Sequence, residues 1–352
     1  MASSIDSFPT VDQGSGGGGT NILTLHHDVL QTHVLTRLDG PTLSSTSCAS
    51  STLHSLSSDP KLWIDICEST WPSTTDPRMR DVIGSFPSGH RSLFSDSFPL
   101  LAPNHDPASP IPQPDRPSNA TKELISAVDI HYKNRLIFSK VLNVETESGW
   151  FLGSPFILDL MSPKDSIPTQ IKHNDRVEED DEFLKDLEKN MTLSWIAVDP
   201  NLTRSGNLSS RTPISVDRHW LTGDVQLKYV TILTGDRQSP SEYVQCEIVV
   251  TCGGCEGEEM HVREVSLQIE DLEGRCLSGR DSLVILQRAM ESGKREKVRE
   301  GEEGKARYKN FKQMRKERRA RKHRKEKVID MGCVAVMVAL FLAYWSYVLY
   351  LR

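Results

Sequence analysis

The spacing of apolar and polar residues changes period along the chain, and each change marks a different part. Between Leu23 and Trp71 apolar positions recur at helical intervals, with Leu30, Val34 and Leu38 at i, i+4 and i+8. Gly40-Pro41 breaks this run and sets Pro41 at a first helical position. Leu43, Ala49, Leu53 and Leu56 form the next apolar set, separated by Ser and Thr small enough for close helix crossings. Asp59-Pro60 then supplies an N-cap and an N1 proline for a helix carrying Leu62, Trp63, Ile66 and Cys67. None of these short helices can bury its stripe alone, so one small bundle is expected. Val82, Ile83, Phe86, Leu93, Phe94 and Phe98 continue the helical spacing and predict one or two helices buttressing it.

Seven prolines between Pro99 and Ser118 exclude a regular helix and predict an extended linker. From Thr121 to about Met290 the period shifts towards two. Val225, Leu227 and Tyr229 alternate with polar residues, as does the run from His261 to Ile269, which fits half-buried antiparallel strands. Eight or so such runs predict a β-sandwich or open barrel. An acidic insert, Asp175 to Lys189, reads as a solvated helix or a mobile loop, and a helix is expected to start at Asp281.

The last part is apolar throughout. Met331 to Leu351 is 21 residues without a charge, roughly 30 Å as a helix and so the thickness of a bilayer hydrocarbon core. Tyr344, Trp345, Tyr347 and Tyr350 gather near its far end, as aromatics do at a membrane interface. Only Arg352 follows, so insertion after synthesis is expected. Just before the span, Lys305 to Lys327 holds 13 basic and 2 acidic residues. Setting these aside with Asp330 and Arg352 leaves 28 basic against 45 acidic residues, so an acidic body adjoins a basic collar. Positive charge is retained on the cytosolic side, which predicts a cytosolic body with a single span at the endoplasmic reticulum or nuclear envelope. The collar either fixes topology, binds anionic lipid, or acts as a nuclear import signal from Arg315 to Lys325. No aromatic platform accompanies it, and no nucleic-acid partner is expected.

The Leu23–Trp71 stretch resembles the F-box, the helical module that docks substrate receptors onto the Skp adaptor of cullin-type ubiquitin ligases. Leu25, Val29 and Leu30 match the opening LxxDVL, Leu38 and Leu43 flank the turn, and Cys48, Leu53, Leu56 and Trp63 continue the match. The extension from Asp59-Pro60 to Trp71-Pro72 is similar to that of a plant subfamily. Where the family opens Leu-Pro, this chain has Leu25-His26, which removes a residue with preset φ from the helix start. The resemblance implies that Leu25, Val29, Leu30, Val34, Leu38, Leu43, Cys48 and Leu53 face the adaptor or form the module core. Sequence does not separate these two roles.

The fold class expected is therefore α+β multidomain: a small helical F-box, a β-rich sandwich-like domain, a basic helix and one C-terminal transmembrane helix. The parts are a disordered tail (1–20), F-box (21–71), helical extension (72–98), Pro-rich linker (99–120), β-rich domain (121–290), charged collar (291–327) and anchor (328–352). The function implied is a receptor without catalysis, which binds the Skp adaptor and through it cullin, and presents a membrane-proximal protein of unknown identity. The alternative is a tail-anchored binding module unrelated to ubiquitin, whose β domain recognises a lipid, glycan or protein. No GxSxG, HExxH or phosphate-cradling loop is present. Cys252-Gly-Gly-Cys255 has the spacing of half a zinc site, but no second pair joins it, and a glycine turn between strands is expected. No cofactor, metal or catalytic residue is expected. Seven cysteines, an odd number, and the Ser/Gly-rich Met1–Thr20 indicate a reducing compartment and no signal peptide.

Overall fold

A computed structural model describes residues 26–103, 121–162, 164–172, 180–235, 242–254, 259–296 and 302–352. The chain divides into two compact units at Leu62/Trp63, within one helix. In the first, α1 (His27–Val29) runs into a π-helical turn over Leu30–Val34 and a 3-10 turn over Leu35–Arg37. Helices α2 (Gly40–Ser47) and α3 (Ser51–Ser57) follow, and α4 (Pro60–Thr70) begins. Each start is capped as its residues dictate. Asp39 accepts from Thr42 N–H at 2.9 Å, Ser50 from Leu53 N–H at 3.2 Å and Asp59 from Lys61 N–H at 3.0 Å.

The π turn changes the expected face. Leu35 N–H bonds to Leu30 O, five residues back, and the wider turn carries one residue more per cycle than an α-helix. Leu30 and Leu35 are therefore buried together, and Val34 is turned into solvent. The i, i+4, i+8 face expected of Leu30, Val34 and Leu38 is replaced by an i, i+5 pair.

The second unit is built on two sheets. In one, the strand order is β12 (Lys294–Glu296), β1 (Leu100–Ala102), β7 (Arg204–Asn207), β6 (Met191–Asp199), β2 (Glu123–Tyr132), β3 (Arg135–Glu145). In the other it is β4 (Ile157–Asp159), β11 (Glu259–Asp271), β10 (Tyr243–Gly253), β9 (Val225–Thr234), β8 (Ser215–Arg218), with β5 (Ile167–Lys172) also paired to β11. Pairing is antiparallel except between β1 and β7. Alternate residues of both sheets, among them Val128, Trp195, Leu227, Tyr229, Ile248 and Leu267, share one apolar core, which Ile285 and Leu286 of α9 (Gly279–Ser292) complete. Leu100–Ala102 lies inside the stretch expected as linker. A three-residue strand shows no period of its own, and its place comes from pairing with β12 and burial of Leu101 and Ala102.

The segment after Leu62 belongs to this unit. Trp71 Nε1 donates to Ser194 Oγ at 3.1 Å. Ser73, in the 3-10 turn Pro72–Thr75, donates its N–H and Oγ to the buried carboxylate of Asp129 at 2.9 and 2.5 Å, and Ser139 Oγ adds a third bond at 2.7 Å. Burial pushes the Asp129 carboxyl above its usual range despite these donors. Helices α5 (Pro77–Gly84) and α6 (His90–Ser97) follow. Asp96 of α6 pairs with Arg204 at 2.9 Å, and Ser97 Oγ meets Ser205 Oγ at 2.8 Å.

A short α7 (Gly149–Gly153) precedes β4. The described part of the acidic insert is a helix, α8 (Asp180–Asn190), which buries Leu187 and holds Asp186 against Tyr132 Oη at 2.5 Å and Lys133 Nζ at 3.1 Å. The chain ends in one continuous helix, α10 (Glu302–Tyr350).

Candidate docking surface and anchor helix

The eight residues singled out from sequence fall into three groups by exposure. Leu30 and Leu43 are fully buried and hold the first unit together, joined by Leu35, which sequence reasoning missed because the π turn leaves no mark on spacing. Val29, Val34 and Cys48 are exposed, the two valines at 41% and 39%. Leu38 and Leu53 are half-buried. Leu25 lies outside the described residues. The unit therefore keeps a tight interior and leaves several apolar side chains in water.

Two polar details brace it. Gln31 Nε2 donates to Asp59 Oδ2 at 2.5 Å, linking the π turn to the start of α4. His26, standing where a proline was expected, takes φ −59°, a value a proline ring would impose, and its Nδ1 accepts Asp28 N–H at 3.4 Å. The Asp39 carboxyl is held below its usual range by the Thr42 side chain and N–H it accepts from.

The collar is not a uniformly solvated rod. Phe311 of α10 is wholly buried against Val230, Ile232 and Leu272 of the second sheet and its following turn, flanked by Tyr308, Met314, Ile214 and Tyr243. Along the same side Arg315 pairs with Glu270 at 3.2 Å, Arg318 and Lys322 with Glu273 at 3.7 and 3.5 Å, and Arg319 donates to Glu273 O at 3.2 Å. Further up, Lys305 and Arg307 pair with Glu188 and Glu296. The apolar spacing Tyr308, Phe311, Met314 was the signal for this contact, diluted by the surrounding charge. Beyond Lys327 the helix is long and apolar enough to cross a membrane, and its apolar residues from Val328 to Leu351 are mostly exposed.

Along 94% of its length the chain is 41% identical to F-box protein At2g27310 of Arabidopsis thaliana, covering 97% of that protein. It is 46% identical to F-box protein At3g44326 over 87% of its length and 84% of that relative. The chain belongs to the plant F-box family. A third relative, probable F-box protein At2g36090, is 44% identical over 89% of either chain. No family model matches the sequence, and no solved structure matches the fold.

In this F-box protein the remaining candidate chemistry is embedded in the fold. Cys252 lies in β10 opposite Val225 and Val262, and burial pushes its thiol up to about 12, far from the thiolate a metal requires. Cys255 lies outside the described residues. Among the described residues no cluster of three potential metal ligands occurs. Trp220 stands 87% exposed in the reversal between β8 and β9.

Proposed function

We propose that the chain is a substrate receptor that docks on the Skp adaptor of a cullin ubiquitin ligase and presents a membrane-proximal protein for ubiquitination, without a catalytic site of its own. The observation that carries this reading is the pairing of whole-length F-box similarity with apolar Val29 and Val34 left in solvent beside a sealed Leu30–Leu35–Leu43 interior. Val29, Val34, Leu38, Cys48 and Leu53 are then adaptor-facing, and Leu30 and Leu43 are structural. Such a receptor raises rate by proximity, holding a substrate where other subunits deliver ubiquitin. The β-rich unit holds the substrate, and Met331–Leu351 anchors the chain with its body in the cytosol. The exposed apolar rail of α10 and the basic residues before it support that topology.

Co-purification with the adaptor tests the docking. Val29→Asp with Val34→Asp changes two exposed positions, so the unit stays folded and adaptor capture is lost. Leu43→Asp places a charge in the interior and unfolds the unit itself. Undiminished capture by the folded Val29/Val34 variant would sink the docking reading. For the anchor, full-length protein should resist extraction by alkaline carbonate; release in soluble form refutes it.

A further inference from the structure

The collar carries two kinds of cation on two sides of one helix. At about 100° per residue, Phe311, Arg315, Arg318 and Lys322 fall on one stripe, the stripe that meets the β body. Arg324 and Lys327 project away from that stripe, with Arg321 and Lys325 at its flank, whereas Glu326 and Asp330 continue its other side. Arg321 pairs with Glu317 of its own helix, at 3.6 Å, and among the described residues none of Arg321, Arg324, Lys325 and Lys327 forms an ion pair with the body. Distance along the axis singles out the last three cations. From the first apolar residue, Val328, Arg324 is about 6 Å away, Lys325 about 4–5 Å and Lys327 about 2 Å, whereas Lys322 and Arg321 are about 9 and 10 Å away and Arg315 about 20 Å. The screening length at physiological salt is about 8 Å, so Arg324, Lys325 and Lys327 lie within electrostatic reach of a bilayer surface.

We infer that Arg324, Lys325 and Lys327 form an anionic-lipid-binding face, whereas the upstream Arg315, Arg318 and Lys322 clamp α10 onto Glu270 and Glu273. This rests on Met331–Leu351 spanning the membrane. The ligand is the headgroup of an acidic phospholipid in the cytosolic leaflet, reached without displacing any contact with the body.

The test uses full-length protein reconstituted in phosphatidylcholine bilayers containing spin-labelled phosphatidylserine, and reads the preference of the immobilised lipid for phosphatidylserine. With each cation near the surface worth roughly fivefold, Arg324→Gln, Lys325→Gln and Lys327→Gln together should lower the relative association constant by up to about a hundredfold. Arg315→Gln, Arg318→Gln and Lys322→Gln should leave it unchanged while speeding amide exchange over 305–322. Loss of preference in the second set, or its retention in the first, overturns the assignment. Carbonate extraction separates the two levels: protein that stays in the membrane without lipid preference defeats this face alone, and protein that is extracted defeats the anchor with it.

Discussion

Phe311→Ala isolates what holds the collar to the body. The ring is wholly buried against Val230, Ile232 and Leu272, and truncating a buried Phe costs about 3–5 kcal/mol. The ion pairs beside it are partly solvated, with Arg318 and Lys322 side chains 34% and 60% exposed, and such pairs are worth roughly 0–1 kcal/mol each. The aromatic contact therefore outweighs any one pair and rivals all of them together. A loss of about 3 kcal/mol corresponds to a change of more than a hundredfold in the opening equilibrium. Hydrogen exchange of amides between 305 and 322 should accelerate by that order in Phe311→Ala, with β10 and β11 amides unchanged. Unaltered exchange in Phe311→Ala, combined with release of the helix by Arg315→Gln, Arg318→Gln and Lys322→Gln, would refute the ranking and make the clamp electrostatic.

Three further outcomes are expected. Asp39→Ala removes the α2 cap and should destabilise the first unit by about 1 kcal/mol, measured by exchange of α2 amides; because the folded carboxyl titrates below its usual value, the contribution is present at neutral pH and fades as pH falls through that lowered value. Ser73→Ala withdraws a donor from the buried Asp129 carboxylate and should cost about 1.5–3 kcal/mol in urea melts; with the Asp129 pKa raised, the penalty is largest where the group is ionised and shrinks as pH falls through the raised value. Alkylation at neutral pH should modify exposed Cys48 quickly and buried Cys246 and Cys252 slowly, the latter two having thiols pushed up to about 12, with bound adaptor protecting Cys48.

The α+β class, the helical N-terminus and the long strands were legible because each expresses a period. Val225, Leu227 and Tyr229 alternate as a strand facing one core must, and they form β9. Caps and breakers were equally readable: Asp59-Pro60 opens α4. What escaped depends on contacts distant in sequence or on irregular turns. The π turn shifts burial from Val34 to Leu35 without altering composition. Strands β1 and β12 are three residues each, too short to show a period, and are placed by pairing, β12 on β1 and β1 also on β7. Asp129, a single carboxylate inside the apolar run of β2, was a visible anomaly whose meaning required Ser73, 56 residues away. In the collar, a charge-rich composition diluted three apolar residues with helical spacing, Tyr308, Phe311 and Met314, which dock the helix on Val230, Ile232 and Leu272.

The uninterrupted course of α10 through both its docked half and its apolar half has a mechanical consequence. With Met331–Leu351 in a bilayer as proposed, a flexible tether would let a tethered domain sample a range of heights above the membrane, whereas a helix fixed to the body at Phe311 would act as a ruler. From Lys322, the last among the described residues paired with the body, to Val328 is about 9 Å of helical rise, which would set a short and nearly constant stand-off. Substrate segments emerging at that level would be favoured over those reaching further into the cytosol. Seven residues of helical sequence inserted after Lys327 should raise the body by about 10 Å, as read by energy transfer from a body label to a bilayer dye. A distance unchanged by that insertion would show that the body lies on the surface by its own contacts and that the helix sets no height.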